Sequence, residues 1–263
     1  MRKVYRFVKD WNKKEVDYLN NKGIIVKIGF CAIEFISTFE NDKLLPVLKE
    51  WGAFINQYYE FSKKEILAAN NYLLGVKWPN GYPMPDNDFG YLNLTYNLDN
   101  YCDICGIGLV QKAPFRIRSE PKWENKKLFT LEWVYDEVFV KTDYYQEIFQ
   151  PKGYGYWPVL KYKTESIIKD TVQLKIPFAK SNLKLDNFER ETCPMCNRIR
   201  YELLGDKGFA TGFMHNEDSD ISKSLEYFGS GASSHHRIYV NKFLFEAFQN
   251  NRPKPLLHPC HSG

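Results

Sequence analysis

Apolar, β-branched and aromatic positions mixed with basic ones open the chain. Over 3–8 (KVYRFV) they predict a first strand. A longer apolar-leaning run, 23–37 (GIIVKIGFCAIEFIS), predicts one or two strands, with Gly29 marking a bend or bulge. Cys31 lies inside that run and is expected to be a small buried hydrophobe. At 61–75 (FSKKEILAANNYLLG) the spacing changes to a helical one. Ser62 and Glu65 form an S-x-x-E capping box, Ile66, Ala69, Leu73 and Leu74 share a face, and Gly75 is a natural stop. The segment 77–91, with three prolines and two glycines, predicts an extended loop or linker.

Strand patterns dominate downstream: FRIRS, then 127–140 (KLFTLEWVYDEVFV), then YGYWPVLKYK and TVQLKIP. A short helix, TDYYQEIFQ, interrupts them, with Thr142 as its expected N-cap. The region 180–190 is polar; after it come EYFGSGASSHHRIYV, a short helix FLFEAFQ and the tail LLHPCHSG. There is an internal echo. VFVKTDYYQEIFQ with WPVL beyond it (138–160) parallels IYVNKFLFEAFQ with HPC beyond it (238–260), once a small gap is allowed. The pattern therefore predicts an α+β fold of mixed, mainly antiparallel sheets with short helices. The expected division is an N-terminal α+β segment, 1–90, and a domain at 91–263 with two similar strand–helix units, or one continuous domain.

Composition narrows this little. The 263 residues are 44% hydrophobic, so the chain is long enough and apolar enough to bury a real core. A net charge of +4, from 36 basic and 32 acidic residues, is too mild to demand a nucleic-acid partner. No apolar run follows the basic N-terminus as in a signal peptide, and 23–37 is too short and too charged to span a bilayer. A cytoplasmic protein with reduced thiols and no membrane association is expected, and its cysteines then need a reading other than disulfides.

Four of the six cysteines form two C-x-x-C pairs, Cys102/Cys105 and Cys193/Cys196. A C-x-x-C turn brings two thiolates within tetrahedral reach of one ion, and the residue after the second cysteine favours positive φ. Gly106 meets that demand, and Asn197 is the best substitute for glycine at the matching place. A structural Zn2+ held by Cys102, Cys105, Cys193 and Cys196 is the preferred expectation. Another metal, two separate sites, or redox or inert thiols are the alternatives. A four-cysteine site is coordinatively closed, so it would stabilise the fold rather than catalyse.

Three further strings carry weaker chemistry. The loop 228–237 (FGSGASSHHR) offers Ser230, Ser233, Ser234, His235, His236 and Arg237 around two glycines, but it is neither a P-loop nor G-x-S-x-G. A Gly/Ser turn leading into RIYV is the favoured reading, and a phosphate-binding or enzymatic loop is the rival. In the tail, His258, Cys260 and His261 are a weak metal-binding set. The acidic run 216–220 lacks the spaced ligands of an EF-hand, and His215 beside it is read as incidental. Finally, Lys112, Arg116, Arg118, Lys122 and Trp123 follow the first knuckle, and Arg198 and Arg200 follow the second. Should the knuckles meet, one basic patch for nucleic acid is the second functional expectation.

The knuckles CDICG and CPMCN, with RIYV, a short helix and a proline-marked close behind them, resemble the double-CXXCG motif family, which is related to bacterial immunity proteins. The resemblance covers 101–260 and departs from the motif at Asn197, where the family has glycine. It implies a non-enzymatic, zinc-stabilised binding protein whose partner is a cognate toxin.

Overall fold

Strand β1 (Arg2–Trp11) is the centre of an N-terminal sheet in a computed structural model of the chain. The structure describes residues 1–76, 78–186, 188–202, 212–215, 218–249, 251 and 254–260, with the Phe39 side chain left out. They fall into two compact units that divide after Ala69, rather than at 90/91.

In the first unit β1 pairs antiparallel with β2 (Gly29–Ile36) on one side and β3 (Phe54–Glu60) on the other. Between β1 and β2 runs α1 (Lys13–Asn21), which starts at an Asn12/Glu15 capping box. Two short helices, α2 (Phe39–Asp42) and α3 (Leu45–Glu50), lead into β3. Tyr5, Phe7 and Trp11 point to one face of β1 and pack with Leu19, Ile33, Phe35 and Leu48. Cys31 is half-buried at the rim of this core rather than inside it: it shares the inward face of β2 with Ile33 and Phe35 but lies near the start of the strand, where Gly29 is also only half-buried.

The expected long helix over 61–75 is two elements. Helix α4 (Lys63–Ala68) has the Ser62/Glu65 capping box, with Glu65 N–H donating to Ser62 Oγ at 3.3 Å and Ser62 N–H to Glu65 Oε2 at 2.8 Å. It stops before Asn70–Asn71, two poor helix formers, and buries no side chain. The rest is β4 (Asn71–Gly75), inserted between two strands of the second unit, where Tyr72, Leu73 and Leu74 are all buried. Tertiary pairing overrides helical spacing here.

The second unit contains α5 (Tyr91–Thr95), β5 (Tyr96–Asn97), β6 (Val110–Gln111), β7 (Arg116–Ile117), β8 (Leu128–Leu131) and β9 (Val134–Lys141). It continues with α6 (Thr142–Tyr144), β10 (Tyr156–Lys161), β11 (Ile167–Leu174), β12 (Arg190–Thr192) and β13 (Ile199–Tyr201), then β14 (Ile221–Ser230), β15 (Ser233–Asn241), α7 (Lys242–Gln249) and β16 (Leu256–Pro259). One sheet has the order β7-β10-β11-β9-β8, the other β12-β13-β14-β15-β4-β16, and β5-β6 is a separate ribbon. Most pairs are antiparallel; β7–β10 and β13–β14 are parallel. The fold is thus α+β with mainly antiparallel sheets. The described part of the proline-rich segment, 78–91, bonds to both edge strands of the first of these sheets: Asn80 N–H donates to Thr130 O in β8, and Met84 N–H to Arg116 O in β7, each at 2.8 Å.

The echo at 138–160 and 238–260 has a counterpart in topology. From β9 the chain passes through α6 and returns as β10, with β11 between them; from β15 it passes through α7 and returns as β16, with β4 between them. Val138, Phe139 and Val140 are buried like Ile238, Tyr239 and Val240, and Tyr144 and Tyr145 like Leu244 and Phe245. Beyond that the match shifts by one residue, Phe149 against Phe248. The extra residue is absorbed in a π turn, Tyr145–Phe149, a form that fits one additional residue into a helix. Thr142 is not the cap expected: its hydroxyl donates to Lys169 O at 2.8 Å, tying the helix start to β11.

Candidate metal centre and a buried ion-pair cluster

Each knuckle is a turn closed by the same two backbone bonds. In the first, Gly106 N–H donates to Cys102 O (2.7 Å) and Cys102 N–H to Ile107 O (2.9 Å). In the second, Asn197 N–H donates to Cys193 O (2.9 Å) and Cys193 N–H to Arg198 O (2.9 Å). Gly106 and Asn197 have φ of 76° and 58°, the left-handed conformation that the sequence demands there. Gly106 meets a second requirement: a Cβ on it would lie 2.5 Å from Ala232 O, in the turn joining β14 to β15.

The two turns face each other. Cys102 Sγ lies 3.8 Å from Cys193 Sγ and Cys105 Sγ 3.6 Å from Cys196 Sγ, and all four sulfurs fall within 4.8 Å of one another. A tetrahedral site with Zn–S bonds of about 2.3 Å needs sulfurs about 3.8 Å apart, whereas a disulfide needs about 2.05 Å. The spacing fits one shared ion and excludes bonded cystines. Cys102, Cys105 and Cys193 are buried and Cys196 is half-buried. Burial pushes the Cys105 thiol up to about 12, while the Arg198 backbone N–H and guanidinium draw Cys196 down to about 6. A bound cation would hold all four as thiolates.

Two arginines serve this centre. Arg198 Nε reaches Cys196 Sγ at 3.3 Å and its Nη2 reaches Asn100 O at 2.7 Å, so it bridges the knuckles. Arg200 is buried; it pairs with Glu191 Oε2 at 2.8 Å, donates to Cys105 O at 3.3 Å and also bonds Gly231 O. A divalent ion with four thiolates would carry a charge of about −2, which the Arg198 guanidinium on Cys196 would offset in part, Arg200 being already paired with Glu191. Of the residues expected to form a basic patch, Arg198 and Arg200 are engaged at this centre, Arg116 pairs with Glu165, Arg118 pairs with Asp86 and Trp123 is buried, while Lys112 and Lys122 are exposed.

The other sequence candidates are dispersed. Among the described residues the four cysteines are the only group of three or more His, Cys, Asp or Glu side chains placed to share an ion. Cys260 is buried beside β4, with its N–H on Asn71 O, and burial pushes its thiol far up. His258 lies in β16, and His261 falls outside the described residues, as do Asn216 and Glu217. The loop 228–237 is a β-hairpin with Gly231–Ala232 at its tip, the turn reading of that string.

A second buried polar cluster was not anticipated. Lys223 of β14 and Glu137 of β9 form an ion pair in which both side chains are only 9% exposed. Glu137 Oε2 also accepts from Gln173 Nε2 at 2.9 Å, and Gln173 is paired with Gln111. Burial alone would depress Lys223, but Glu137 and Asp136 hold its pKa above the ordinary lysine value. Asp136, next along β9, accepts the His236 backbone N–H on Oδ2 at 3.1 Å. Burial opposes its ionisation, yet Lys223 and the two histidines hold its pKa below the usual carboxylate value. A register shift between Lys223 and Tyr227 re-aims β14 at this point. The one local hint in the sequence is the adjacent Asp136–Glu137 pair inside an otherwise apolar strand. Lys223, Gln173 and Gln111 come from three other strands, and no spacing rule connects them.

Comparison of the chain with protein families, with curated proteins and with solved structures finds no match.

Proposed function

We propose that Cys102, Cys105, Cys193 and Cys196 hold one structural zinc ion, and that this chain is a zinc-stapled binding protein without catalytic turnover at the metal. The observation that carries the reading is the closed four-thiol cluster, with sulfur separations of 3.6 and 3.8 Å and three of its four cysteines buried. A site of that kind leaves no coordination position for water or substrate. It joins turns 91 residues apart and clamps the β14–β15 hairpin through Arg200.

The partner is a protein, and toxin neutralisation is the role that the double-CXXCG resemblance implies. An apolar surface in the first unit supports a protein partner. Phe54, 69% exposed, lies opposite Val8 and Phe30, 78% exposed, opposite Asp10 on the solvent face of the β2-β1-β3 sheet, and Ile25 and Ile28 before β2 are also exposed. The test has two arms. Elemental analysis of protein purified without added metal is expected to give one zinc per chain; a well-folded, metal-free protein would overturn the zinc reading. Co-expression with a toxin encoded next to the gene is expected to restore growth, with Phe30→Ser/Phe54→Ser weakening the rescue. No rescue of any neighbouring toxin would remove the immunity role.

A further inference from the structure

The ion-pair cluster forms one wall of a cavity of about 450 Å³. That volume is in the range of small-molecule sites, and its walls have their character: aromatic faces with a few convergent polar groups. Tyr91, Trp133, Tyr135 and Tyr227 supply rings, and Asp136 and His235 supply polar atoms. Trp133 stands at φ 65° in the two-residue β8–β9 turn, an uncommon conformation for a bulky residue, and is held there by rings of Tyr82 and Phe89 at 4.4 and 4.6 Å.

The charge inventory of the wall selects the ligand. Asp136 and Glu137 are two carboxylates facing one cation, Lys223. Glu137 is saturated by Lys223 and Gln173. Asp136 accepts one backbone bond on Oδ2; no hydrogen bond to Oδ1 is found among the described residues, and Oδ1 is not sealed from solvent. His235 Nδ1 is buried without a partner, and the ring sits 5.1 Å from that of Tyr135. Burial keeps both histidines below their ordinary pKa, hence uncharged at neutral pH. Asp136 is left without an ion pair among the described residues, in a half-buried, ring-lined space. The other lysine of the lining, Lys175, sits 4.2 Å over the Trp157 ring on an exposed side chain and makes no ion pair with either carboxylate among the described residues. An anion would face the Asp136 carboxylate, with Lys223 already engaged by Glu137 and Lys175 on an exposed side chain over Trp157. A hard metal ion would find a single open carboxylate, too few oxygens for its shell. An ammonium group on an apolar body fits these features: an N–H donor for the open Asp136 Oδ1, and ring faces for its charge and its carbon skeleton.

We propose that this cavity binds a small organic ammonium ion, its nitrogen against Asp136 and its apolar body against Tyr91, Trp133 and Tyr135. The test is calorimetric titration of the full-length, metal-containing protein at pH 7.5 with phenethylamine, and with 2-phenylethanol as its neutral isostere. The amine is expected to bind at least tenfold more tightly than the alcohol. Asp136→Asn is expected to erase that preference, and Trp133→Ala to weaken both ligands. No binding of the amine at millimolar concentration, or equal affinity for the two, would overturn the proposal on the wild-type protein alone, even if Asp136→Asn fails to fold. Metal content measured on the same sample separates the two proposals: zinc-free protein that still prefers the amine supports this site and removes the metal reading, and zinc-loaded protein that ignores the amine does the reverse.

Discussion

The second unit holds two buried polar clusters with opposite logic. The four thiols are alike, and once ionised they repel; they are stable together only around a cation from outside the chain. The Asp136–Glu137–Lys223 cluster carries its own counter-ion and is neutralised to within one charge. The first should therefore depend on what is bound, the second on what is encoded. Losing a metal held by the four thiols would be the largest perturbation available. Cys193→Ser is expected to abolish metal retention and to destabilise by about 5 kcal/mol or more, since metal binding energy is folding energy at such a site. In a domain of this size that lowers Tm by at least about 10 °C. A chelator should reproduce the shift in the wild type and leave the variant unmoved. An unchanged melting curve in both would mean that the cysteines are not a staple.

The ion pair should respond to its own residues and not to the chelator. Lys223→Met leaves two carboxylates in the interior without their cation and is expected to cost about 3–5 kcal/mol by urea denaturation. Adding Glu137→Leu removes the orphaned charge and should recover most of that loss. If the double variant is no more stable than the single one, the pair is not the unit that the geometry indicates.

This contrast also explains what was legible in the sequence. The knuckles were readable because a C-x-x-C turn is local: spacing, Gly106 and Asn197 state the backbone conformation directly. The hairpin at Gly231 and the Ser62/Glu65 cap were readable for the same reason. The helix proposed over 61–75 failed beyond Ala68 because Tyr72, Leu73 and Leu74 are placed by β15 and β16, strands more than 150 residues away. The ion-pair cluster was missed likewise, since its members come from β6, β9, β11 and β14. Arg198 and Arg200 looked like a basic surface because a sequence shows charge but not the carbonyls and sulfur that receive it.

A smaller effect separates the clusters by pH. Burial lowers His235 from 6.5 to about 4; Asp136 across the strand opposes this, while Arg237 and His236 on its own strand add to it. In the unfolded chain the ring takes a proton as pH falls through 6.5, and in the folded chain it resists until about 4. The unfolded state then binds more protons, so stability is lost as pH falls across that window, by about 2 kcal/mol after discounting for partial solvent access. His235→Asn should flatten this part of the pH–stability profile. A profile identical to the wild type would mean that the ring is protonated in place.

The finest distinction lies within the metal centre, between the residues that close its two turns. Gly106 and Asn197 share the left-handed conformation, but only Gly106 is pressed against the hairpin, with Ala232 O 2.5 Å from where a Cβ would stand. Gly106→Ala therefore meets both backbone strain and collision, about 1–3 kcal/mol. Asn197→Gly, which supplies the residue of the motif, relieves the strain of a positive φ but loosens the unfolded chain, and is expected to change stability by only about 0.5 kcal/mol. Comparison of the two variants by thermal denaturation, each with its metal content, tests whether the knuckles are equivalent as ligand turns and unequal as packing elements. Equal losses in the two would contradict the close approach of the hairpin to the first knuckle, and with it the clamp through which Arg200 ties the metal centre to β14 and β15.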